Sequence, residues 1–156
     1  MKKHFPFLIN GSINFADLLD YGLQGFAVFT EGVQHGHTSF CILSKNAIIK
    51  IQSEMNDIDG WHEIGCLEFS AVEEIDVRMK IVPLDESWTR ITSLEKLCHD
   101  SENCYAESGI RITNDQGMEL TIVCDANPYV LSIKAPFFDD EFLPEYELIS
   151  YKRIAL

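Results

Sequence analysis

The chain has 156 residues, of which 46% are hydrophobic, so it is long and apolar enough to bury a core and does not have the composition of a disordered protein. Its 25 acidic residues outnumber its 12 lysines and arginines, which gives a formal net charge of −13. Because nucleic acids and anionic membranes attract positive charge, this balance argues against both as partners and favours a basic protein partner.

The first residues and the cysteines predict a cytoplasmic protein with reduced thiols. Lys2 and Lys3 precede the apolar residues 5–9, but this run is shorter than the core of a secretory signal, so we expect an N-terminal strand or extended segment. No later stretch is apolar for long enough to form a membrane helix. The cysteines are odd in number and irregularly spaced, which is not typical of a disulfide framework. They are Cys41, Cys66, Cys98, Cys104 and Cys124.

The N-terminal half of the chain predicts one short helix followed by a series of strands. Residues 14–22 have apolar side chains at helical spacing, between a candidate N-cap and a glycine stop. Runs of β-forming residues separated by turns then predict strands at 25–30, 38–43, 47–52 and 61–69. Residues 71–82 alternate between apolar and charged side chains, which predicts a further strand with one buried face.

The C-terminal half predicts a second short helix and then a three-stranded meander. The helix lies within residues 87–97, and the polar residues 99–108 are expected to form a loop. Residues 110–124 form a hairpin around a glycine-containing turn, and residues 129–135 add the third strand. The aromatic side chains of residues 136–156 are expected to pack across the sheet, because a disordered tail rarely carries so many large apolar groups.

Together these elements predict the α+β class, in the form of a β-rich protein with a mainly antiparallel sheet and one or two short helices. The sequence has no internal repeat, low-complexity tract or linker-like segment that would mark a domain boundary. We therefore expect a single domain over residues 1–156.

Histidines and cysteines form the candidate metal site, although their spacing is weak evidence for one. His35 and His37 are two residues apart, which places both imidazoles on one face of a strand. His62 and Cys66 are four residues apart and complete the candidate set. No Cys-x₂-Cys pair is present, and the spacings match no zinc motif. We therefore favour surface histidines and buried cysteines, expect no cofactor, and keep these four residues as an alternative.

Familiar catalytic motifs are absent from the sequence. It has no phosphate-binding glycine-rich loop, no nucleophile elbow and no His-Glu-x-x-His motif. A Cys–His nucleophile pair could combine Cys98 or Cys104 with His99 or His62, but any chain with five cysteines and five histidines offers such combinations. We therefore expect a protein that is not an enzyme, while leaving enzymatic activity open.

Two acidic segments form the candidate binding surface. Residues 137–147 combine carboxylates with four aromatic side chains. Aromatic residues are favoured at the centres of protein interfaces, and carboxylates steer a basic partner towards them. In the competing interpretation the aromatic rings cover the sheet and the carboxylates face water. The candidate contacts are Asp139, Asp140, Glu141, Glu145 and Glu147, with Glu73, Glu74 and Asp76 as a second patch.

The C-terminal half also resembles a group of known proteins. The segments that carry the resemblance are 107–112, 127–133, 142–146 and 151–153, all within residues 87–156. They resemble small uncharacterised bacterial cytoplasmic proteins, some of which are similar to immunity proteins that bind and neutralise a bacterial toxin domain. The resemblance implies a toxin-neutralising role with a protein partner, and it implies no catalytic residues.

Three roles are compatible with the sequence. The first is a non-enzymatic acidic module that sequesters a basic protein, such as a toxic nuclease whose own basic charge serves to bind phosphate. The second is a β-rich domain that binds a small ligand or metal and could be enzymatic. The third is a homodimer formed by pairing of exposed sheet edges, which is compatible with the first role.

Overall fold

The structure is a computed structural model, and it describes residues 1–30 and 37–156. Within these residues twelve strands form two six-stranded sheets, and one α-helix and two short 3₁₀ turns complete the regular structure. The prediction of a β-rich chain with mainly antiparallel sheets and few helices is therefore confirmed. None of the helices in the described ranges is both long and apolar enough to cross a membrane.

The first sheet is built from the N-terminal half of the chain. After β1 (Lys3–Phe5), which joins the other sheet, its strands are β2 (Leu8–Asn10), β3 (Gly25–Phe29), β4 (Phe40–Ser44), β5 (Ala47–Asp57), β6 (Glu63–Val72) and β7 (Met79–Pro83). Their spatial order is β2-β6-β5-β4-β3-β7, and every pair is antiparallel except β2 with β6. The helix predicted within residues 14–22 is confirmed as α1 (Ala16–Tyr21), between β2 and β3.

The second sheet contains the C-terminal strands and β1. These strands are β8 (Ile91–Asp100), β9 (Cys104–Asn114), β10 (Glu119–Cys124), β11 (Leu131–Lys134) and β12 (Lys152–Ala155). Their order is β11-β10-β9-β8-β12, so the predicted meander β9-β10-β11 is confirmed. Strand β1 pairs in parallel with the start of β9, and just beyond it the Phe7 N–H donates to the Glu107 carboxylate at 2.8 Å.

The largest hydrophobic cluster lies between the two sheets. From the first sheet it takes alternate residues of β3 to β6, including Phe40 and Phe69, which are fully buried. From the second sheet it takes Ile110, Ile112 and Leu120 among others. Side chains on successive strand positions point to opposite faces, so this alternation places one face of each sheet in a shared core.

The tail after β11 covers the opposite side of the second sheet. Leu97, Val123 and Tyr151 form a separate cluster there, and the tail residues Phe142 and Tyr146 pack against it. The prediction that the aromatic side chains of the tail pack on the sheet is therefore confirmed. Because core and tail cover both faces, most residues of β9 and β10 are buried.

The helix predicted within residues 87–97 and the loop predicted at 99–108 are both wrong. Only a 3₁₀ turn, Glu86–Trp88, is helical in this region, and residues 91–114 form the antiparallel pair β8–β9 with a three-residue turn. Leu94 lies in the core between the sheets, so pairing with β9 and burial override the local helix propensity.

The strand predicted over residues 71–82 is reduced to β7, which begins at Met79. Residues 73–78 instead cross from β6 to β7 as irregular chain. Ile75 packs against Ala27 and Cys41, whereas Val77 is 98% exposed, so the apolar positions of this stretch do not share one buried face. The alternation in the sequence therefore does not correspond to one continuous strand.

Candidate functional site

The aromatic residues at the start of the acidic tail segment anchor it to the core. The Phe137 ring lies 5.2 Å from Phe26 and 5.3 Å from Trp88, measured between ring centroids. The Phe138 ring lies 5.5 Å from Phe26. These contacts hold the following carboxylates at a fixed place on the surface, because the two preceding rings cannot move without disturbing the core.

The carboxylates of the tail segment differ in exposure. Four of them face solvent, namely Asp139, Asp140, Glu141 and Glu147. Glu145 instead turns inward and accepts a hydrogen bond from the Gly65 N–H at 3.1 Å. Burial raises the pKa of Glu145, and the bond from Gly65 offsets only part of that effect. Glu145 therefore links the tail to β6.

His37 and Asp140, predicted for two different kinds of site, contact each other. The His37 Nε2 atom lies 2.6 Å from a carboxylate oxygen of Asp140, and the ring packs edge-on against Phe138. His37 is 9% exposed, and its backbone exchanges two hydrogen bonds with Leu131 of β11. Its Nδ1 atom has no hydrogen-bond partner among the described residues. The pair links the residue three positions before β4 to the tail.

The remaining metal-site candidates do not converge on His37. His62 is exposed in the turn between β5 and β6, where it pairs with Asp59. Cys66 is buried on β6, where the Asn56 amide donates to its sulfur. His35 lies outside the described residues. In the ranges 1–30 and 37–156, no group of three or more histidine, cysteine or acidic side chains could hold a metal ion.

All five cysteines are buried and carry free thiols. Burial raises the pKa values of Cys41, Cys66, Cys98 and Cys124, so these thiols are poor nucleophiles. His99 stacks on Tyr146 with 4.1 Å between ring centroids, and burial lowers its pKa. The Cys98 sulfur contacts the Tyr105 hydroxyl and the Cys104 sulfur contacts the Ser101 hydroxyl, so neither thiol is hydrogen-bonded to a histidine among the described residues.

The second acidic patch lies on the irregular segment between β6 and β7. Glu73 and Glu74 are exposed. Asp76 binds the Arg78 guanidinium through two nitrogens, at 3.0 and 2.8 Å. These hydrogen bonds hold the pKa of Asp76 down to about 2. The negative charge of Asp76 is therefore already paired with Arg78, while Glu73 and Glu74 remain exposed.

The tip of the β5–β6 hairpin is a further surface feature, and the residue pattern did not predict it. Trp61 is 91% exposed there. The hairpin tip, defined as residues 57–63, also carries the exposed carboxylates Asp57, Asp59 and Glu63. The sequence predicted a strand from residue 61, so Trp61 was assigned to the sheet. In the structure β6 begins two residues later, at Glu63, and Trp61 lies in the turn.

Hydrogen bonds within the hairpin tip fix its shape. The Asp57 carboxylate accepts from the Gly60 N–H at 2.5 Å, and the Asp59 carboxylate accepts from the Trp61 and His62 N–H groups at 3.0 and 2.9 Å. These backbone bonds, led by the one from Trp61, lower the pKa of Asp59. The exposed indole is therefore presented on an ordered turn that stays negatively charged at neutral pH.

Comparison of the chain with protein-family models, curated proteins and solved structures found no match.

Proposed function

We propose that this protein binds a basic protein partner and acts without catalysing a reaction. The observation that carries the proposal is Trp61, 91% exposed on a turn ordered by two carboxylates and flanked by a third. Tryptophan is among the residues that contribute most to binding free energy at protein interfaces. A tryptophan held on an ordered turn is already positioned to contact a partner, which supports a binding role.

The charges of the hairpin tip support a basic partner. Carboxylates beside an apolar anchor attract lysine and arginine side chains and raise the association rate, and the net charge of −13 acts in the same direction. An ordered turn also loses little conformational entropy on binding.

The tail carboxylates and the patch at Glu73, Glu74 and Asp76 are proposed as additional contacts that steer the partner. A toxic nuclease is the proposed partner class, because nucleases carry basic surfaces for phosphate. The resemblance of the C-terminal half to small bacterial proteins, some of which are similar to immunity proteins, points in the same direction. A cytoplasmic location belongs to the same proposal.

The test is affinity capture from a lysate of the source cells, with the bound proteins identified by mass. The wild-type protein is compared with Trp61→Ala and with a tip variant in which Asp57→Asn, Asp59→Asn and Glu63→Gln remove three charges. Asparagine keeps the oxygen that accepts the backbone hydrogen bonds of the turn. The matched control removes three exposed charges elsewhere: Asp20→Asn, Glu102→Gln and Asp115→Asn.

We expect one basic protein to be captured by the wild type and by the control, and to elute at high salt. Trp61→Ala and the tip variant should each retain at least about tenfold less of it. The proposal is wrong if no basic protein is captured, or if the control loses as much binding as the tip variant. Charge reversal at Glu73, Glu74 and Asp139 tests the additional contacts, and unchanged binding would remove them from the proposal.

A further inference from the structure

A small cavity lies between α1 and the first sheet, away from the hairpin tip and the tail. Its volume is about 130 Å³. The side chains of Leu18 and Ile49, both almost fully buried, form its apolar floor. Asp17 and Tyr21 line it from the helix, and Asn46 lines it from the turn between β4 and β5. The cavity therefore has an apolar interior and a polar rim.

The rim contains one carboxylate, in the first turn of α1, that has no side-chain partner among the described residues. Asp17 is partly buried, and its carboxylate makes no hydrogen bond or ion pair with any residue in the described part of the chain. Asp17 and Tyr21 are one helical turn apart, so they lie on the same face of α1. A carboxylate next to an aromatic ring is the combination that recognises an ammonium group, through charge and through the face of the ring.

The chain itself shows that this ring accepts an ammonium group. The Lys45 Nζ atom lies 5.7 Å from the centroid of the Tyr21 ring. Lys45 is exposed and is not part of the cavity lining. The ammonium group of a ligand would contact both the Asp17 carboxylate and the Tyr21 ring. Its apolar chain would contact Leu18 and Ile49 inside the cavity, which the Lys45 side chain does not reach.

We propose that this cavity binds a primary ammonium group carried on a short apolar chain. A cavity of similar size, about 150 Å³, holds a six-carbon ring, so 130 Å³ accommodates an alkylammonium of about five heavy atoms. The ligand is positively charged, because the Asp17 carboxylate and the net charge of −13 both repel anions. The group has two sources, a free alkylamine or a lysine side chain on a partner, and the site does not depend on the proposal for the hairpin tip.

The test is an NMR titration of the ¹⁵N-labelled protein with n-butylammonium chloride. The neutral probe of the same length is 1-butanol. We expect saturable shifts at Asp17, Asn46 and Ala47 with a dissociation constant of about 1 mM, which is reasonable for so few atoms. The affinity for 1-butanol should be at least tenfold lower. This comparison uses the wild-type protein and needs no variant to fold.

A matched pair of variants and one further variant then locate the ammonium group. Asp17→Asn should weaken n-butylammonium binding at least tenfold, whereas Asp20→Asn, on the same helix but exposed, should change it less than twofold. Lys45→Met should tighten binding, because it removes the competing ammonium from the ring. The proposal is overturned if shifts at the cavity do not saturate, if 1-butanol binds equally well, or if Asp17→Asn binds like the wild type.

A third probe distinguishes the two sources of the ammonium group. N-acetyl-lysine methylamide carries the same butylammonium chain on a peptide backbone. Affinity within threefold of n-butylammonium supports a lysine side chain of a partner as the natural occupant. Loss of binding for this probe alone supports a free alkylamine, because the backbone would then collide with the rim.

Discussion

Two carboxylates that are largely removed from solvent titrate in opposite directions because their partners differ. Burial by itself would raise the pKa of Glu107, but three donors, including the Lys96 ammonium at 2.7 Å, lower it. Glu145 has one backbone donor, and burial raises its pKa. The stabilisation from Glu107 is present above its unfolded pKa and is lost as the pH falls through its folded pKa.

Glu145→Gln is expected to stabilise the protein at neutral pH. The amide oxygen can still accept from the Gly65 N–H, while the cost of burying a charge disappears. Because the folded pKa of Glu145 is raised, the folded state binds more protons and wild-type stability falls as the pH rises through that pKa. The variant should therefore gain on the order of 0.5–1 kcal/mol at pH 7 and nothing below about pH 4.

Urea unfolding at several pH values measures this difference. Glu147→Gln is the matched control, since Glu147 is exposed two residues away, and it should change stability by less than about 0.5 kcal/mol. A Glu145→Gln variant that is less stable than the wild type at pH 7 would show that the charge itself is needed at this position.

The sequence identified acidic residues but could not separate their roles. Glu145 and Asp139 look equivalent in a run of carboxylates, yet one turns inward to β6 and the other faces solvent. What separates them is the approach of Gly65, 80 residues earlier in the chain. Trp61 was missed for a related reason, because its exposure depends on where a strand begins, and this boundary is poorly defined by local propensity.

Among the elements, β8 shows why a helix was predicted where a strand lies. The helix was predicted from Ser93 as a candidate N-cap before the run 94–97, and pairing with β9 overrides this local signal. The pairing of β8 with β9 has irregularities between Ile91 and Ser93 and between Leu97 and Cys98. A bulge adds a residue and changes which face the following side chains occupy. The irregularity between Ile91 and Ser93 allows Ile91 and Leu94 to share the core between the sheets, whereas Leu97 belongs to the cluster under the tail. The regular hairpin β9–β10 was predicted correctly.

Gly109→Ala is expected to destabilise the β9–β10 hairpin. A Cβ at this position would lie 2.6 Å from Val123 Cγ1 and 3.0 Å from the Ile122 carbonyl oxygen. Overpacking of this kind costs about 1–3 kcal/mol. Val123→Ala removes the nearest atom, so the double variant should lose less stability than the sum of the two single variants.

Chemical denaturation of the wild type, both single variants and the double variant completes this cycle. Gly60→Ala is not a suitable control, because Gly60 has a positive φ that disfavours any side chain. Thr113→Ala on the same strand is a better one, since Thr113 is only partly buried. If the stability losses of the two single variants are additive, the contact of the new Cβ with the Ile122 carbonyl oxygen, and not its contact with Val123, causes the destabilisation.

For the whole molecule, the excess of 13 negative charges opposes folding. Most of the acidic residues are exposed, so their mutual repulsion acts across the surface. The β-rich class was predictable from composition and turns, while α+β stays a prediction that rests on one six-residue helix. The assignment of strands to the two sheets was not fully predictable, because pairs such as β1–β9, β2–β6 and β3–β7 join segments that are distant in the chain.

Added salt is therefore expected to stabilise the protein. Raising the ionic strength from 0.01 to 0.15 M shortens the screening length from about 30 to about 8 Å, which weakens repulsion between surface carboxylates. We expect the midpoint of thermal unfolding to rise by about 3 °C, corresponding to about 1 kcal/mol for a chain of this size. Calorimetry in NaCl and in KCl checks this result, and a midpoint that falls with both salts would contradict it.

The parallel pairing of β1 with β9 has a consequence for synthesis. Lys3 to Phe5 pair with Cys104 to Ala106, so β1 is made about 100 residues before its partner. At about 5–20 residues per second, the ribosome needs about 5–20 seconds to make that stretch. Strand β1 has no partner strand during this time. The sheet that it joins is complete only when β12 has also been made. The second sheet is therefore completed only after all the residues of the first sheet have been made.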